Sequence, residues 1–133
     1  MFGMNENLRD AESKKAYLLL LPIFIFYLIG SFLFEGSYGG GDGVRHYLIS
    51  RWSWVHPDQL LYSWGKPFFT LISSPFSQFG LQGIKLYNAL IATLTAFYCY
   101  RIGRKLEISN ALMILLLSTA APMYISCVNS GLT

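Results

Sequence analysis

At 133 residues and a formal charge of +3, the chain is one domain at most, and 53% hydrophobic and 17% aromatic content against 13% charged residues excludes an ordinary soluble domain of that size. Its lysines and arginines lie mostly beside apolar runs, which favours membrane lipid over nucleic acid as a partner. Cys99 and Cys127 have neither metal nor redox spacing and are expected near opposite faces of a bilayer about 30 Å thick, too far apart for a disulfide.

Residues 1 to 15 are polar and of mixed charge, and are expected to form a cytoplasmic tail. Residues 16 to 34, AYLLLLPIFIFYLIGSFLF, carry no charge and would reach about 28 Å as a helix, which predicts a first span. The run is long for a signal-peptide core and no A-x-A site follows, so an uncleaved anchor is expected. Residues 35 to 80 are expected to be an extracytoplasmic loop with interfacial helices. Its glycine-rich start, EGSYGGGDG, can fold back toward the surface and is not a P-loop. Val44, Tyr47, Leu48, Arg51, Trp52 and Val55 recur at helical intervals, predicting a short amphipathic helix ended by His56-Pro57-Asp58. A further turn or short helix is expected at 59 to 64, and at 68 to 79 a helix too short to span.

Residues 81 to 100 are expected to be the second span, with Lys85 snorkelling to the outer surface. Residues 101 to 109 are expected to form a cytoplasmic loop, and Ser109 or Asn110 to cap the helix that follows. Residues 110 to 128 predict a third span with a kink at Pro122. Arg9, Lys14, Lys15, Arg101, Arg104 and Lys105 are six of the ten basic residues, and this bias assigns both polar segments to the cytoplasm. Residues 129 to 133, NSGLT, end just outside the third span, and three helices hardly enclose a substrate cavity. The expectation is therefore an N-terminal part of a larger enzyme. The fold class is all-α, a polytopic membrane protein with about three transmembrane helices.

The chemistry-bearing side chains concentrate in residues 39 to 67. Asp42, where loop becomes helix, and His46, one turn on, could together position or deprotonate a hydroxyl. Against this stands a plain helix cap beside a solvated imidazole. Arg45, Arg51 and Lys66 are suited to phosphate, although cations at a lipid surface are also simply solvated. Asp42, His46 and His56 offer ligand types that a divalent metal accepts, but without tight spacing, so no metal is assigned. Tyr47, Trp52, Trp54, Tyr62 and Trp64 could support a sugar ring or form an interfacial aromatic belt.

Taken together, a charged tail, a first span, a first-loop acid in Gly41-Asp42-Gly43, interfacial helices and Trp64-Gly65-Lys66-Pro67-Phe68-Phe69 resemble the N-terminal part of the C-type glycosyltransferase superfamily. That superfamily includes the protein O-mannosyltransferases and the lipid A aminoarabinose transferase. The resemblance covers essentially the whole chain through short motifs. It implies transfer of a sugar from a polyprenyl-phosphate carrier to an acceptor on the extracytoplasmic side of a bacterial inner membrane. It maps the family's first-loop acid onto Asp42, as catalytic base or acceptor-binding group, and its lysine before proline onto Lys66, near the carrier phosphate. The residue reading adds His46 to Asp42 as the catalytic pair and Arg45 and Trp64 to Lys66 as the substrate-binding set, and the remainder of the enzyme would be a partner. Asp42 is followed by Gly43 where many members have a second acid, and Lys66 by Pro67-Phe68 where several have two prolines. The rival reading is a small non-catalytic membrane protein that binds lipid or a partner subunit. A transporter would want more polar residues along its spans than Asn88 and a few Ser and Thr.

Overall fold

A computed structural model describes residues 6–37 and 41–130, and every element among them is helical. These are α1 (Glu6–Leu33), α2 (Gly41–Trp52), a short 3-10 helix (Pro57–Leu61), α3 (Pro67–Ser77), α4 (Leu81–Lys105), α5 (Ala111–Ala120) and α6 (Pro122–Val128). Gly39, Gly40 and the final Gly131, Leu132 and Thr133 lie outside the described residues.

Helix α1 starts ten residues before its apolar run, because the preceding Glu, Ala and Lys residues are good helix formers. Its segment Asp10–Leu33 is long and apolar enough to cross a membrane. Helices α5 and α6 pass the same test only as a pair, bent by 64°. The kink expected at Pro122 is thus a full break, since proline cannot donate to the ladder and begins a new helix at its first position. The Tyr27 hydroxyl donates to the Thr119 carbonyl at 3.0 Å, satisfying a group beside the break.

Helix α4 does not qualify by composition, and its polar residues explain why. Lys85, Tyr87 and Tyr100 are buried against other helices, whereas Leu90, Ile91, Leu94 and Ile102 are exposed. Lys85 does not snorkel. It is fully buried and donates to the Phe34 carbonyl just past α1, where a cation complements the helix dipole. Ala89, Ala92, Ala96 and Gly103 line the buried side of α4, and such small residues let helices approach closely. Tyr27, Ala89, Ala92 and Val128 form one core cluster; Ala16, Ala96, Tyr100, Ala111 and Leu115 form the other.

The basic cluster after the second apolar run is not in a loop, since α4 continues to Lys105. Arg104 lies 3.6 Å from Glu12 and donates to Ser13 and Tyr100. Glu12 also accepts from the Leu112 amide at 3.3 Å, so a side chain of α1 satisfies the start of α5. Asn110 occupies the N-cap position but makes no side-chain cap bond.

Helices α2 and α3 pack beside the N-terminal part of α4. His46 meets Phe69, Ser50 meets Ser73, and Gln78 donates to the Arg51 carbonyl at 3.0 Å. These contacts advance together along both helices, which therefore run in the same direction with adjacent N-terminal ends. Helix α3 is inverted relative to a helix on a water-soluble protein. Thr70, Ser73, Ser74 and Ser77 face inward, while Phe68 (78% exposed), Leu71 (61%) and Ile72 face out. A continuous exposed apolar face of this kind marks contact with lipid or another protein.

Candidate functional site

Asp42 lies in the first turn of α2, one residue inside the helix, and is exposed. Arg45, on the next turn, donates from Nη2 to the Tyr62 hydroxyl at 3.0 Å, with its guanidinium 5.7 Å from the Tyr62 ring centroid and 5.0 Å from that of Trp64. The linker from the 3-10 helix to α3 must fold tightly for this. Gly65 permits it, because a Cβ there would fall 2.9 Å from the Gln59 carbonyl oxygen and 3.1 Å from that of Tyr62. Lys66 then occupies the N-cap position of α3, and Pro67 starts the helix without leaving an amide unpaired.

His46 is half-buried, edge-on to Phe69 at 6.3 Å between centroids. Phe69 packs on Tyr87 at 5.6 Å, and Tyr87 on Phe76 at 5.3 Å. This aromatic column ties α2 to α3 and α4 and fixes the imidazole. Its Nδ1 is buried with no protein hydrogen-bond partner. Burial pushes the imidazole below its usual value near 6.5, nearby Lys66 and Arg45 push it the same way, and the Asp42 carboxylate opposes them. His46 is therefore neutral at pH 7 and available as a proton acceptor.

The sign of this shift has a consequence for stability. Below about pH 6.5 the unfolded chain takes up a proton that the folded chain refuses, so the stabilisation is complete above that value and declines as the pH falls. We expect the His46 resonance in NMR to titrate with a midpoint below 6.5. Asp42→Asn should lower that midpoint further, and Lys66→Ala should raise it. A midpoint indifferent to both changes would mean that the three groups are not electrostatically coupled.

The parallel course of α2 and α3 thus brings Arg45 and His46 beside Trp64 and Lys66, with Asp42 one turn before His46 on the same helix. His56 is exposed and packs against Trp52 at 6.4 Å, and among the described residues no three His, Cys, Asp or Glu side chains assemble as metal ligands. Asp42, His46 and His56 consequently do not form a divalent-metal set. Arg51 is tied to Tyr47, one turn away on its own helix. Phe69 and Tyr87, the seat of His46, are not legible in sequence, for no local spacing links position 46 to residues more than twenty positions away.

Comparison of the chain with protein-family models, with curated proteins and with solved structures returned no match.

Proposed function

We propose that this chain is a membrane-embedded part of a sugar transferase that uses a polyprenyl-phosphate-linked donor, with α2 and α3 at the extracytoplasmic surface and three crossings formed by α1, α4 and the broken pair α5–α6. The observation that carries this reading is the pairing of two helix N-terminal ends, which sets one carboxylate, one neutral imidazole and two cations beside an outward-facing apolar helix. Helix N-termini with Lys and Arg favour a phosphate, and the exposed face formed by Phe68, Leu71 and Ile72 favours the hydrocarbon that carries it. Trp64 and Tyr62 offer aromatic faces, part of which Arg45 already covers.

In the proposed reaction an acceptor hydroxyl forms a bond to the anomeric carbon of the sugar as the bond from that carbon to the carrier phosphate oxygen breaks. The electron pair leaves with the phosphate, whose charge Lys66 and Arg45 offset. The hydroxyl proton passes to Asp42, or to His46, which stands neutral beside it. Orientation at the lipid surface supplies much of the remaining rate.

The test is to express the protein from its complete reading frame, reconstitute it in proteoliposomes and follow label from a polyprenyl-phosphate sugar. Transfer to an acceptor in the outward-facing compartment is expected. Binding of the unglycosylated polyprenyl phosphate should weaken about tenfold in Lys66→Ala, the loss expected for about 1.4 kcal/mol of charge-assisted contact. A well-inserted protein that neither transfers sugar nor distinguishes Lys66 from alanine would instead be the non-catalytic membrane protein.

A further inference from the structure

A second charged feature lies at the opposite end of the helical bundle. An open cleft of about 640 Å³ is lined by Phe97, Tyr98, Arg101, Ile102, Arg104 and Lys105. Three cations within five residues at a helix C-terminus already complement the dipole, which accounts for the charge but not for the cleft. Their surroundings differ. Arg104 is committed to Glu12, Ser13 and Tyr100. Arg101 and Lys105 are exposed, and neither pairs with a carboxylate among the described residues.

Arg101 and Lys105 stand four positions apart, so they share one side of α4, where like charges repel. Arg101 lies over the Phe97 ring at 5.8 Å, a stack that leaves the guanidinium edge free. Tyr98 and Ile102, both more than half exposed, add apolar surface to the same cleft. Its depth follows from α1: Glu12, which pairs with Arg104, lies four residues before the first residue of the apolar run, about 6 Å along the helix. In the membrane orientation proposed above, the cleft sits where hydrocarbon gives way to headgroups.

We infer that this cleft seats the headgroup of an anionic phospholipid, its phosphate shared by Arg101 and Lys105 and its glycerol and first methylenes resting on Tyr98 and Ile102. One phosphate offsets the repulsion between the two cations, and the apolar surface gives a lipid an advantage that a free phosphate lacks. Basic clefts among membrane helices on the cytoplasmic side suit this role, and the inference rests on the membrane orientation proposed above.

The test uses the full chain, purified and delipidated in a neutral detergent, with native mass spectrometry to count bound lipid. Short-chain phosphatidylglycerol should bind at least tenfold more tightly than phosphatidylcholine of the same chain length. The double variant Arg101→Gln/Lys105→Gln should lose that preference, whereas Lys14→Gln/Lys15→Gln, which removes the same charge, should keep it. Equal loss in both variants would overturn the site in favour of diffuse charge. Displacement of the lipid by an equal concentration of inorganic phosphate would overturn the lipid as its occupant. Carbonate extraction of native membranes is read separately: release of the chain would remove the membrane reading itself, and retention supports it.

Discussion

Gly83→Ala should destabilise the protein by about 2 to 3 kcal/mol and lower its thermal midpoint in detergent by about 10 °C. Gly83 is buried at the corner where α3 hands over to α4. A Cβ there would fall 2.9 Å from the Phe76 carbonyl carbon and nearer still to its oxygen. Backbone cannot rotate away as a side chain can, so the two helices must part, and the better helix propensity of alanine returns only about 1 kcal/mol. Phe76 would shift with its neighbour Tyr87, loosening the aromatic column that seats His46. Gly80→Ala is a useful contrast. Its φ of 81° strains an alanine by about 1 to 2 kcal/mol, but nothing stands within 4 Å of the new methyl, so the corner itself stays closed. A thermal midpoint unchanged in Gly83→Ala would show that α3 and α4 do not meet this closely.

Under the proposed chemistry, Asp42→Asn should reduce sugar transfer by about 10² to 10⁴-fold, the range that a positioned acid or base commonly contributes. The same change should leave folding almost untouched. Asp42 is exposed, and loss of a carboxylate in the first helical turn costs about 0.3 to 1 kcal/mol. Asparagine preserves the size and hydrogen-bonding oxygen of the side chain, so the loss reports on charge and proton affinity. Transfer within about twofold of the parent would exclude Asp42 from the chemistry. Transfer abolished together with a lower thermal midpoint would point to folding instead.

Much of the helical plan is legible in the chain, because long uncharged runs have few alternatives to helix. The first run lies in α1, and the helix after the glycines begins at Gly41 and ends at Trp52, three residues earlier at each end than its apolar periodicity suggests. The short 3-10 helix and α3 fall where a turn and a non-spanning helix are expected. The inverted character of α3 is only half visible: its bulky apolar residues are plain in sequence, but the inward Ser73 meets Ser50 across the interface, and the buried Ser74 and Ser77 donate to the Leu71 and Ser74 carbonyls of their own helix.

The fate of Lys85 was not legible, because snorkelling and burial depend on whether a carbonyl stands nearby, and Phe34 is 51 positions away in the chain. The same holds for the start of α5, where a neighbouring Asn is the natural candidate for a cap and Glu12 from α1 takes its place. At the candidate site, composition nominates Asp42, His46 and Lys66. Only the shared direction of α2 and α3 explains why Arg45 and His46, near the start of one helix, lie beside Trp64 and Lys66 at the start of the other. That direction is set by side-chain contacts between helices, which no periodicity within either one encodes.

The proposed outward site requires the linker before Lys66 to lie on the extracytoplasmic side of the membrane. In a variant with Cys99 and Cys127 replaced by serine, Ser63→Cys provides a single thiol at an exposed position of that linker. A maleimide that cannot cross the membrane should label it in intact cells as completely as in lysed ones. Labelling only after lysis would put the carboxylate, the imidazole and both cations on the cytoplasmic face, contradicting the outward site.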